Sequence, residues 1–262
     1  MIDLPVDLPS ELVPLSWLIG VWEGSGVLEY KIGEESISRT FGHRISFSHD
    51  GLPHLTYSSY TWLEPVEADA PAPDSAIAGS ATGRSGAGFD AAGASRAGVA
   101  GVGGAASALD AAESASTDVP STLPAALRSD EKTPLVTETG YWRLSRYQGD
   151  GDPGPGMLPG TGERPFTSAA AVETLRNRDG GFDIEVTLVH PGGVAELYLG
   201  QVKGPRIDLA TDAVLRTMGA KPYAAATRLY GLVDNHLLWA WDIAALGQDL
   251  RTHASGRLAR VE

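Results

Sequence analysis

A chain of 262 residues is long enough to bury a sizeable core in one large domain or two small ones. Its 20 Lys and Arg stand against 33 Asp and Glu, and the resulting formal charge of −13 disfavours electrostatic capture of a nucleic-acid backbone or an anionic membrane surface. The absence of cysteine removes disulfides, thiolate metal sites, iron–sulfur clusters and cysteine nucleophiles together, leaving His, Asp and Glu as the ligand types.

In chain order, Met1 to Pro9 carries acids and prolines where a signal peptide needs a basic start and an unbroken apolar run. The most apolar windows, around Val13 to Trp22 and Leu237 to Leu246, are interrupted and well below the roughly 20 residues of a membrane-spanning helix. These features predict a soluble, cytoplasmic protein with no membrane partner. Ser10 to Leu18 suits a helical turn or two, with Ser10 as the candidate cap. Gly20, Trp22, Gly24 and Gly26 follow in a Gly-x-Trp-x-Gly-x-Gly spacing. Glycines permit tight bending and close strand approach, and the indole can plug one end of a barrel, with Arg260 as the candidate cation over its face. A core Trp in a bent edge strand accounts for the same residues.

Ile45 to His49, Leu55 to Trp62, Phe182 to His190 and Val194 to Leu199 alternate apolar and polar side chains, as half-buried strands do. Turn signals at His49-Asp50-Gly51, Asp179-Gly180-Gly181, Pro191-Gly192-Gly193 and Lys203-Gly204-Pro205 are spaced for hairpins. The stretch 67–134 is rich in Ala, Gly and Ser with a lone aromatic, Phe89, and reads as a disordered low-complexity insertion. A second loop, Tyr147 to Pro165, is dense in Gly and Pro. Ala226 to Leu232, His236 to Ala244 and Ser255 to Val261 continue the strand series. About ten strands without crossover helices hide their edges best by closing, so the expected fold is an all-β, up-and-down antiparallel barrel. A barrel of that size can enclose one small ligand.

The run LSWLIGVWEGSG resembles the amino-terminal signature of the nitrobindins, heme-binding β-barrels known in bacteria as peroxynitrite isomerases. FSHDGLPHLTYSSYTWL, TETGYWRL, VTLVHPGGVAELYLG, DLATDAVLRTMGAK, RLYGLV and the tail WDIAALGQDLRTHASGRLARV resemble further blocks of that family in order. The resemblance implies a single ten-stranded antiparallel barrel domain over 1–262, interrupted at 67–134, that holds heme b, converts peroxynitrite to nitrate at ferric iron and also meets nitric oxide. Expected partners are therefore small molecules, with a homodimer as the candidate assembly.

The family's axial ligand lies in a Leu-x-x-His context near the carboxyl terminus, which Leu250 to His253 match. The resemblance thus makes His253 the heme-iron ligand and catalytic residue; read alone, a single His near a terminus is more often a solvated or hydrogen-bonded residue. Lys221 matches the lysine of the family's Ala-Lys block and would meet a heme propionate, or else is a solvated loop lysine. Tyr30 matches the tyrosine of a family Tyr-Pro-Thr, but Lys31 and Ile32 replace the proline and threonine; Thr40 could substitute only if the loop folded back. His43, in Phe41-Gly-His-Arg-Ile45, stands where the family has an acidic pair. His49 and His190 flank hairpins and read as surface residues. No histidine pair has zinc-site spacing. Trp62, Trp142, Trp239 and Trp241 are candidates to line or support the cavity. An open ferric site would act as a Lewis acid on the peroxo oxygen, with the chain's negative charge expected away from the mouth. The alternatives are a non-catalytic carrier of a fatty acid, heme or another apolar ligand, and a nitric oxide sensor acting through the insertion.

Overall fold

A computed structural model describes residues 7–32, 35–65, 132–245 and 249–261. Ten strands run as β1 (Gly20–Ile32), β2 (Glu35–Ser48), β3 (Leu55–Leu63), β4 (Thr133–Leu144), β5 (Phe182–His190), β6 (Val194–Lys203), β7 (Arg206–Arg216), β8 (Tyr223–Val233), β9 (His236–Ala245) and β10 (Arg251–Arg260). Each pairs antiparallel with its sequence neighbours, and β1 pairs with β10 to close the barrel. The expected all-β closed meander is what forms, and closure removes every exposed sheet edge.

The expected insertion lies, over 67–131, outside the described residues. Its last two positions do not belong to it: Thr133 and Pro134 already form β4 opposite Leu63 and Trp62. Pro134 is tolerated there because the pairing slips between Tyr60 and Trp62, at an irregularity where no ladder donor is needed. The Gly- and Pro-rich loop after β4 carries no strand, as its composition predicts. It is tied down instead by Arg146, whose guanidinium bonds both oxygens of Asp152 at 2.7 Å and also Glu11. A five-residue helix, α1 (Ala169–Glu173), follows, its first turn capped by the Ser168 hydroxyl accepting from the Ala171 N–H at 3.2 Å.

One end of the barrel is plugged. Ser10–Leu18 forms a 3-10 helix, whose three-residue period places Leu12, Leu15 and Leu18 on one ridge. All three are completely buried. Ser10 does not cap this helix: its hydroxyl donates to the Thr167 carbonyl at 3.0 Å, and Pro9 occupies the cap position without a side-chain bond. Beneath the ridge Trp22 is fully buried and donates its indole N–H to the Leu18 carbonyl at 2.7 Å. Arg260, opposite Trp22 in the β1–β10 ladder, lies 4.4 Å above the ring and donates to the Ile19 and Trp17 carbonyls at 2.6 and 2.9 Å. The bend that admits this arrangement needs glycine. Gly20 has φ of 128°, a conformation closed to other residues, and a Cβ on Gly26 would lie 2.1 Å from the Ser255 carbonyl oxygen.

Below the plug, Phe47, Tyr57, Trp142 and Tyr230 fill the lumen, with Trp142 5.3 Å from Phe47 and 5.2 Å from Tyr230, edge to face in both pairs. Arg260→Ala is expected to cost roughly 2–4 kcal/mol, the loss of one cation–π contact and two charge-assisted hydrogen bonds, read as a lowered urea midpoint with an unchanged m-value.

Candidate functional site

The alternation of β10 directs Ala254, Gly256 and Leu258 inward and Ser255, Arg257 and Ala259 outward. By that alternation His253 would face solvent. It does not, because the β9–β10 register slips: Thr252 pairs with Asp242 and Ala254 with Trp241, leaving His253 as the extra residue. Such a bulge re-aims a side chain, and His253 and Ala254 both line the lumen. Burial lowers the His253 pKa, partly offset by a hydrogen bond to the Glu29 backbone that favours the ring proton. A pKa lowered from 6.5 keeps the ring neutral at pH 7, and a neutral imidazole is the form that can act as a nitrogen ligand.

The cavity it enters has a volume of about 150 Å³ and is walled by Leu28, Phe41, His43, Ser59, Thr61, Leu135, Val136, Glu138, Trp239, Trp241 and Ala254. Trp241 meets His253 edge to face at 5.5 Å, and its ring also lies 4.8 Å from the Arg228 guanidinium. Trp239 contacts Phe41 at 6.0 Å and His43 at 4.7 Å, both edge to face. The cavity lies at the end of the barrel opposite the Trp22 plug, beside Leu28 of β1, Trp241 of β9 and Ala254 of β10. A larger concavity of about 620 Å³ lies on the outer wall, where Asp183, Leu199, Asp208, Leu229 and Asp242 line it. It holds no histidine and does not open into the lumen's aromatic patch.

The floor of the inner cavity is polar. Arg228, completely buried, donates to both Glu138 oxygens at 2.5 and 2.8 Å and lies 3.5 Å from Glu196. Tyr57 donates to Glu138 at 2.6 Å, Tyr198 to Glu196 at 2.6 Å, and Tyr223 also donates to Glu196. Burial by itself would raise the Glu138 carboxyl, but the Arg228 charge and hydrogen bonds overcome it and hold the group down to about 2. His190 is not the surface residue its position suggests: its Nε2 sits 2.7 Å from Glu196. Glu138, His190 and Glu196 bring ligand-type atoms within 4.8 Å of one another. Arg228 already supplies the positive charge a cation would bring, so the cluster is a satisfied ion-pair network.

The other expected residues scatter. Lys221 is exposed in the β7–β8 loop, where its carbonyl accepts from Arg216 at 3.3 Å, and it does not line the cavity. Gly20, Trp22, Gly24 and Gly26 build the plug and the tight β1–β10 seam, not the ligand wall. Thr40 is exposed on β2; the side chains of Tyr30, Lys31 and Ile32 lie outside the described residues. Trp142 belongs to the core, and Trp62 lies outside the barrel against Gly42, stacked on Tyr60. The rim carries Arg39, Lys132, Arg216, Lys221 and Arg251 beside Glu29, Glu64, Asp212 and Asp249, so among the described residues the negative charge is not concentrated at the mouth.

Comparison with known proteins decides the family. The model of the THAP4-like, heme-binding beta-barrel domain matches residues 11–80 and 121–260. The chain belongs to this heme-binding β-barrel family. Among its members, a protein of Clavibacter michiganensis subsp. michiganensis named peroxynitrite isomerase is 56% identical over 262 residues, all of each chain. Another of that name, from Leifsonia xyli subsp. xyli, is 53% identical, again over the whole of both chains. The crystal structure of Rv2717c from M. tuberculosis shares the fold, with a TM-score of 0.51 and 20% identity over 99% of this chain and 100% of that one. Among the described residues, no helix of this family member is long and apolar enough to cross a membrane.

His43, the substitution noted in β2, lies inside the cavity. It is almost completely buried, and its Nε2 lies 2.8 Å from the Ser59 hydroxyl. Burial lowers its pKa to about 4, against 6.5 for a free imidazole, the Glu138 charge opposing and Arg228 assisting the shift. Between those values an unfolded chain binds a proton that the folded chain refuses, so stability falls as pH drops through this window. The slope is about 1.4 kcal/mol per pH unit and the total about 3 kcal/mol, and the effect vanishes above pH 6.5. His43→Leu is expected to flatten that part of the profile, measured by urea denaturation at a series of pH values from 4 to 7.

Proposed function

We propose that the protein is a peroxynitrite isomerase that binds heme b through His253 and converts peroxynitrite to nitrate. The observation that carries this reading is the β10 bulge, which turns a neutral, backbone-anchored imidazole into an apolar aromatic cavity. The donor set suits heme iron: one nitrogen ligand, a carbonyl that orients it, and flat aromatic walls against which a macrocycle can lie. The enclosed volume is smaller than a whole macrocycle, so the bound group would extend through the open end of the barrel. There Lys221, on the rim, is the candidate to meet a propionate as a point charge.

Bound ferric heme supplies a Lewis-acidic iron that polarises the peroxo bond of the substrate. The chain does the rest. His253 holds the group from one side. The buried Phe41 and Trp239 side chains, with Leu28 beside them, would shield the reacting anion from water, whereas Leu135 and Val136 are exposed. Trp241, fixed between His253 and the Arg228 cation, keeps the axial ring from turning. No protein proton is required, since isomerisation neither consumes nor releases one. The mixed-charge rim leaves an anion a route in. The same apolar pocket with a single axial imidazole suits nitric oxide as a second ligand.

Purified protein titrated with hemin is expected to give a Soret band at one equivalent, and to accelerate peroxynitrite decay with nitrate as product. His253→Ala is expected to lose the Soret shift and at least tenfold of the rate while keeping the wild-type urea midpoint to within about 1 kcal/mol, because its ring is only part-buried. A colourless protein that ignores hemin would overturn the proposal in favour of an apolar-ligand carrier.

A further inference from the structure

Three side chains of the cavity wall carry ring nitrogens that have no role in the proposed chemistry. His43 Nδ1, Trp239 Nε1 and Trp241 Nε1 are buried and have no hydrogen-bond partner. The three residues line the same cavity as His253. They form one continuous patch, with His43 and Trp239 ring centres 4.7 Å apart and Trp239 and Trp241 6.3 Å apart. Burying a donor without a partner is costly, and buried polar groups in folded proteins are nearly always satisfied. Trp17, Trp142, Gln201 and Tyr230 carry unpaired atoms elsewhere, but among the described residues it is the clustering of three around one cavity that points to something that enters it.

Their chemistry defines what enters. An indole N–H can only donate. For His43 we assign the proton to Nδ1, with the Ser59 hydroxyl, 2.8 Å from Nε2, donating into that nitrogen. The carboxylate in the wall, Glu138, does not compete for these donors, since Arg228 and Tyr57 hold its oxygens. The patch thus offers neutral N–H donors and needs a partner made of acceptors.

We propose that His43, Trp239 and Trp241 form an oxyanion-recognition set that holds the oxygens of peroxynitrite, and of the nitrate it becomes, by neutral N–H donors. This deepens the isomerase reading and rests on it. Neutral donors in an apolar pocket orient an anion without the tight grip of a buried Lys or Arg, so the product can leave. They also favour a ligand rich in oxygen acceptors over an apolar one of the same size.

The test uses the full-length chain labelled with nitrogen-15. Sodium nitrate, with sodium chloride as the ionic-strength control, is expected to shift the indole N–H signals of Trp239 and Trp241 and the Nδ1–H signal of a neutral His43. The indole of Trp22, whose proton is already given to Leu18, serves as the unmoved reference. Trp239→Phe and Trp241→Phe are each expected to weaken nitrate about tenfold, the loss of one hydrogen bond to an anion. In the hemin-loaded protein, Trp239→Phe and His43→Leu are expected to weaken fluoride, read from the visible spectrum, by a similar factor with the Soret band retained. Unmoved signals, a His43 proton found on Nε2, or variants that bind both anions like wild type would overturn the proposal and leave hemin binding intact. Nitrate-dependent shifts in a chain that takes up no hemin would instead uphold the donor set and remove the heme reading beneath it.

Discussion

A guanidinium with no solvent contact occupies the middle of the barrel, and most of the interior is arranged around it. Arg228 cannot lose its proton, and an uncompensated charge at that depth would be prohibitively costly. Two carboxylates, three tyrosine hydroxyls and the His190 ring are drawn inward from β3, β4, β5, β6 and β8 to balance it. Polar groups that must stay hydrogen-bonded to one another cannot be repacked as a hydrophobic core. The network therefore separates an aromatic plug on one side from an apolar cavity on the other.

That separation gives the ligand cavity its character. Its floor is polar but saturated, so the unsatisfied groups lie in the upper wall, where Trp239, Trp241 and His43 stand. Arg228 also acts on the cavity directly, as the cation against one face of Trp241 whose edge meets His253. A charge balanced for structural reasons thus stiffens the residue beside the His253 imidazole. Positioning of this kind needs no contact between Arg228 and any ligand.

The plug and the cavity divide the labour between two ends of the same strands. At one end of β1, Trp22 sits under Arg260 with the Leu12, Leu15 and Leu18 ridge above it. At the other end, Leu28 pairs with Ala254 beside the bulged His253. Tight β1–β10 pairing through Gly24 and Gly26 connects the two, so closure of the barrel and the height of His253 are set by one ladder. The sequence signature that identifies the family therefore stabilises the site from a distance and contributes no side chain to the ligand wall.

Much of this was legible in the sequence. Period-two alternation with glycine-marked turns determined the strands and their antiparallel order, because half-buried strands must alternate and hairpins need those turn residues. The Gly-x-Trp-x-Gly-x-Gly spacing made Arg260 the candidate cation over Trp22, where it lies, and the resemblance pointed to His253. Tertiary structure alone decided the rest. Strict alternation would send His253 outward, and only the slip opposite Asp242 and Trp241 turns it in; nothing in Thr252-His253-Ala254 marks a bulge, since it arises from pairing between two strands. His190 and Glu138, 52 positions apart in number yet neighbours around Arg228, were invisible for a related reason: a buried charge network is specified by which side chains meet across the lumen. Local sequence encodes the face each residue takes, but the closed barrel decides what it faces.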